Sequence, residues 1–64
     1  MKVIPGEVYN HKGSGLPYEV ILISNSKSND EDKFPVTVVY HEFGGNRNIW
    51  SRPIVQFKER FELC

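Results

Sequence analysis

"FPVTVVYHE", residues Phe34 to Glu42, carries apolar side chains at both parities of an extended chain. With a strand's two-residue repeat, Phe34, Val36, Val38 and Tyr40 fall on one face and Thr37, Val39 and His41 on the other. A strand that is apolar on both sides does not suit an open sheet with one wet face. It suits the middle of a strongly bent sheet or a small barrel.

The flanking segments extend that reading. Glu7 to His11, after Pro5-Gly6, alternates as a first strand and ends at the turn "HKGSGLP". "PYEVILIS", Pro17 to Ser24, begins with a proline tolerated at a strand start and continues with β-branched residues, so it is a second strand. "SNSKSNDEDK", Ser24 to Lys33, is a polar loop tip. After the third strand, "GGN", Gly44 to Asn46, supplies residues that accept positive φ in a hairpin turn. Asn48 to Arg52 is a fourth strand, and Pro53, with no amide hydrogen, is expected to end its pairing. Ile54 to Phe57 fits a single 3₁₀ turn, its Ile54 and Phe57 sharing a side, and Arg60 to Leu63 fits a short closing strand.

This element order predicts an all-β chain: a small five-stranded SH3-like barrel with one 3₁₀ turn before the last strand, residues 1–64 forming a single domain. An OB-fold is the alternative small barrel, but it usually needs more residues and a helix between its third and fourth strands.

Composition narrows the function. Sixty-four residues allow one small core and no deep cleft, since chains this short bury only about 60% of the surface they expose unfolded. The hydrophobic content of 39% and aromatic content of 12% argue for folding rather than disorder. Eight Lys and Arg balance eight Asp and Glu, so no long-range positive field favours nucleic acid or an anionic membrane. The lone Cys64 cannot close an intrachain disulfide, no apolar run approaches a membrane span, and Met1 to Gly6 is too short and mixed for a signal peptide. The expected location is cytoplasmic.

Four segments, "VYNHKG" (Val8 to Gly13), "YEV" (Tyr18 to Val20), "VVY" (Val38 to Tyr40) and "IWSRPIVQF" (Ile49 to Phe57), occur in the order and rough spacing of a known pattern. They resemble a small bacterial and phage domain family of unknown function with Y-x-H-x-G, Y-x-V, V-V-Y and W-x-R-P-x-x-x-F. The resemblance covers about Gly6 to Phe61. It implies a compact SH3-like barrel and no activity. The turn after His11 is longer here, with Ser14-Gly15-Leu16-Pro17 inserted before Tyr18.

Trp50 and Arg52 are two apart in a strand and so share a face. One reading stacks the guanidinium on Trp50 or another aromatic, its donors taken by backbone carbonyls or by Glu7, Glu19 or Glu42. The other makes a recognition patch in which Trp50 and nearby tyrosines stack on a flat ligand while Arg52 forks onto phosphate or carboxylate. Tyr9 and His11 share a face of the first strand, and Tyr40 lies on the third. The candidate ligand- or partner-binding residues are therefore Tyr9, His11, Tyr40, Trp50 and Arg52. Each has a structural alternative: a tyrosine in the core with its hydroxyl at the rim, a histidine bonding locally.

Catalysis and metal binding have no cast. His11 and His41 are isolated, "NDED" at Asn29 to Asp32 lacks the pattern of a calcium loop, and "KGSG" at Lys12 to Gly15 lacks the spacing and helix of a phosphate loop. No nucleophile has an evident base partner. No cofactor, no metal and no enzyme activity are expected. The leading expectation is a non-catalytic binding module for a protein partner or a small anionic or aromatic ligand, acting as a homo-oligomer. The alternatives are a protein that sequesters a nucleotide signal, and a nucleic-acid-binding barrel gathering Lys2, Lys12, Arg47, Arg52, Lys58 and Arg60.

Overall fold

The computed structural model describes residues 1–45 and 48–64. Asn46 of the expected hairpin turn and Arg47 of the nucleic-acid set lie outside the described residues. Among the described residues the chain is all-β apart from one short helix: β1 (Val8–His11), β2 (Pro17–Ser24), β3 (Thr37–Glu42), β4 (Ile49–Pro53), α1 (Ile54–Arg60) and β5 (Phe61–Leu63). All strand pairs are antiparallel, in the order β4-β3-β2-β1-β5. The sheet is open, with β4 and β5 at its two edges. Among the described residues no helix is long and apolar enough to cross a membrane.

Ring distances reveal how far this open sheet curls. With strands spaced about 4.8 Å, a flat sheet would hold β3 and β5 about 14 Å apart. Yet the Tyr40 ring of β3 lies 5.3 Å from the Phe61 ring of β5. The inner face therefore wraps around one core of Val3, Tyr9, Val20, Val38, Tyr40, Phe57 and Phe61, with Tyr18, Ile23 and Ile54 packed against it.

β2 contributes to that curl through a bulge. Val20 pairs with Tyr40 and Leu22 with Val39, so Ile21 is an extra residue with no partner of its own. The insertion shifts the parity: Val20 and Ile23 face inward, whereas Ile21 and Leu22 are exposed. A bulge of this kind bends its strand and increases the local twist.

Three expected boundaries are corrected. β3 begins at Thr37 rather than Phe34, because the Phe34 amide donates back to the Asp30 carbonyl at 2.8 Å and the ring is exposed. β4 runs one residue past its expected end at Arg52, since Pro53 itself forms the last pair, with Thr37. The amide of Ile54 donates to Val36 O at 2.8 Å. In an antiparallel ladder that phase turns the Pro53 nitrogen toward the free edge, where its missing hydrogen costs the ladder nothing.

The third correction is the expected 3₁₀ turn, which is an α-helix running on to Arg60. Ile54, Phe57 and Phe61 recur at i, i+3 and i+7, one side of an α-helix. The Phe61 amide closes the helix onto the Phe57 carbonyl, and Phe61 then turns extended at φ −125, ψ 155. That spacing stacks Phe57 on Phe61, centroids 4.2 Å apart and planes within 6°. Lys58 and Arg60 in the last turn suit the negative end of the helix dipole.

Candidate functional site

Residues opposite one another in an antiparallel pair project to the same face. Trp50 is opposite Tyr40, Arg52 opposite Val38, and His11 opposite Phe61. All six therefore point to the inner face, and the edge strands carry Trp50, Arg52 and Phe61 to the place where the curled sheet stays open. There His11, Tyr18, Tyr40, Trp50, Arg52 and Phe61 line a cleft of about 180 Å³.

Phe61 is the floor. Its ring meets His11 edge-on at 5.0 Å and Tyr18 edge-on at 5.5 Å, and it carries the Arg52 guanidinium carbon 5.8 Å above its centroid. Tyr18 and Tyr40 contact each other at 5.6 Å, interplanar angle 86°. These are the edge-to-face distances that aromatic quadrupoles favour.

The polar groups of the cleft are donors. Arg52 rests on an aromatic ring, and that ring is Phe61 rather than Trp50. Among the described residues its guanidinium has no carboxylate partner: Glu19 instead pairs with His41 on the outer face, at 2.9 Å. Among the described residues no buried side-chain nitrogen or oxygen lacks a partner, so the unbonded guanidinium nitrogens remain in contact with solvent. The same reasoning leaves the hydroxyls of Tyr18 and Tyr40 wetted at the cleft, although the Tyr40 residue is only 4% exposed.

His11 adds a directed donor. Its Nδ1 accepts from the Gly13 amide at 3.1 Å and from the Ser14 amide at 3.2 Å. In the neutral ring that arrangement selects the tautomer with its hydrogen on Nε2. The tight turn makes it: the Gly15 amide donates to the His11 carbonyl at 2.7 Å, and Gly15 sits at φ 74, where a side chain would be strained. The cleft thus joins a guanidinium, an imidazole N–H and phenol hydroxyls over flat rings, with no acid among its lining residues.

Of the expected site residues, His11, Tyr40, Trp50 and Arg52 are brought together. Tyr9 is not. It is fully buried, and its hydroxyl accepts from the Ile4 amide at 2.9 Å while donating weakly to the Lys2 carbonyl at 3.4 Å. Tyr9 and His11 do share a face, but α1 covers Tyr9, its ring 5.4 Å from Phe57. Sequence reasoning missed Tyr18 and Phe61 as lining residues. Tyr18 shares parity with the inward Val20, which was a usable signal; Phe61 needed the β1–β5 register.

A larger hollow of about 440 Å³ lies at the polar loop, lined by Asn25, Lys27, Ser28, Asn29, Asp30 and Phe34. It mixes opposite charges on exposed side chains and has no convergent donor set. Among the described residues no group of three or more His, Cys, Asp or Glu is arranged to hold a metal ion. No protein-family model, curated protein or solved structure matches the chain.

Proposed function

We propose that the chain is a non-catalytic binding module, a small SH3-like barrel whose cleft takes an anionic group carried on a flat frame. That group belongs to a small anionic or aromatic ligand or to the matching side chain of a protein partner. The strand order β4-β3-β2-β1-β5 with a helix between β4 and β5 favours the SH3-like reading over an OB-fold, which places its helix between the third and fourth strands.

The observation that carries the proposal is Arg52. A guanidinium laid over Phe61 with no acid partner among the described residues keeps its forked edge available, and carboxylate and phosphate match that fork in a way lysine cannot copy. Aromatic walls supply the stacking surface. The cleft's roughly 180 Å³ falls below the 300–1,000 Å³ usual for whole ligands. One ring with one acidic group fits it. A whole nucleotide exceeds it, so the signal-sequestering alternative requires more wall than one chain supplies.

The protein carries its own reporter, since Trp50 is its single tryptophan. Benzoate titrated into the protein should change Trp50 fluorescence saturably, and benzyl alcohol, which keeps the ring without the charge, should not. Arg52→Lys should weaken benzoate by about tenfold or more. Its stability should fall by no more than about 0.5–1 kcal/mol, the worth of an exposed cation–π contact. Equal responses to benzoate and benzyl alcohol, or Arg52→Lys binding as well as wild type, would refute the proposal.

A further inference from the structure

The edge of β4 has a free side whose chemistry can be read from the ladder. In antiparallel pairing, residues alternate between those whose backbone groups face the neighbouring strand and those whose groups face away. The bond from the Ile54 amide to Val36 O, with Val38 opposite Arg52 and Tyr40 opposite Trp50, fixes the phase. Trp50 and Arg52 bond toward β3; Ile49, Ser51 and Pro53 turn their backbone groups outward. Among the described residues β3 is the one strand that pairs with β4. Ile49, Trp50 and Ser51 are exposed, Ile49 by 68%.

We propose that β4 pairs antiparallel with β4 of a second copy, about a two-fold axis through Ser51. In that register Ser51 lies opposite Ser51 of the partner subunit, Ile49 opposite Pro53 of the partner subunit, and Trp50 opposite Arg52 of the partner subunit. The central outward N–H of each copy then has an acceptor. The Ser51 amides donate to each other's carbonyls. The Pro53 ring stands where an amide hydrogen would meet the carbonyl of Ile49 of the partner subunit, so the strands splay there and the backbone pairing is confined to the Ser51 centre.

The side chains favour the same register. Trp-x-Arg read against its own reverse sets each guanidinium beside an indole and opposes no like charges, which is the self-complementarity a two-fold contact requires. Ile49 meets Pro53 of the partner subunit on the outer face. On the inner face each cleft gains the partner's Trp50 next to its own Arg52, so the second copy adds a wall to a site that one chain leaves open. The guanidinium presents its flat face to that indole and keeps its N–H edge for the ligand.

Sedimentation equilibrium should give twice the 7.4 kDa chain mass at about 1 mM, where even weak pairing is populated. Ser51→Pro deletes the central donors without touching the β3 ladder. It should keep the wild-type circular dichroism and weaken association by about thirtyfold or more, the loss of both central bonds. Because a proline can also disturb a strand, amide exchange of wild-type Ser51 supplies the second measurement: its amide should slow as concentration rises. A 7.4 kDa species at every concentration overturns the pairing, as does a dimer that Ser51→Pro leaves intact. A Ser51 amide indifferent to concentration assigns the edge to a different protein and overturns it too. The benzoate titration repeated on Ser51→Pro keeps the failure of the cleft distinct from the failure of the pairing.

Discussion

The Tyr9 ring is fully buried, while its hydroxyl holds the Ile4 amide at 2.9 Å and so ties the N-terminal segment, with buried Val3, to the core. Tyr9→Phe keeps the ring and removes that acceptor. It should cost about 1 kcal/mol, the net worth of one such bond, seen as a lower urea midpoint with an unchanged slope. An unchanged midpoint would mean that the hydroxyl adds nothing to the hold already given by buried Val3 and by the Gly6 amide on the Val20 carbonyl. The parity of Tyr9 and His11 was legible from alternation. Their depth was not, because it depends on where α1 lands, and that is decided by Phe57, 48 positions further along. Arg52's aromatic support was likewise foreseen in kind. The ring's identity was not, since Phe61 reaches it only through the β1–β5 pairing.

Among the elements, β2 tests the bulge most directly. Regular alternation from Val20 would send Leu22 inward; the register shift sends Ile23 inward instead. Ile23→Ala should therefore cost about 1–2 kcal/mol, less than a fully buried truncation because the site is only partly closed, and Leu22→Ala about 0.5 kcal/mol or less. The reverse order in a denaturant series would show that β2 runs without a bulge. The limits of β2, Pro17 to Ser24, were readable from proline and β-branched composition. The bulge inside it was not, since "VILI" is apolar at every position and carries no parity mark. The same lack of local signal hid the length of α1. Its last turn, "KER", is polar, and only the later Phe61 completes the helical spacing.

Taken together, the protein stands on a narrow margin. At about 0.05–0.15 kcal/mol per residue, a chain of this length is stable by about 3–10 kcal/mol, and truncating one core phenylalanine costs about 3–5 kcal/mol. Phe57→Ala should consequently leave a large unfolded fraction at 37 °C, visible as lost near-ultraviolet dichroism. A fully cooperative, wild-type-like melt would show that the Phe57–Phe61 stack matters less than its geometry suggests. The five-strand plan was legible because each strand is bounded by Pro, Gly or a polar run. How strongly the sheet curls was not, for it arises from contacts among β3, α1 and β5 that no single segment encodes.

Phe61 belongs to both parts of this molecule, stacked on Phe57 below and carrying Arg52 above. Any attempt to retarget the protein is therefore confined by geometry. A library varied at Trp50 and Arg52 explores new specificities at little risk to foldedness, whereas one that includes position 61 trades each gain in recognition against survival of the chain. Diversification over time should be subject to the same asymmetry, with a permissive rim above a conserved base.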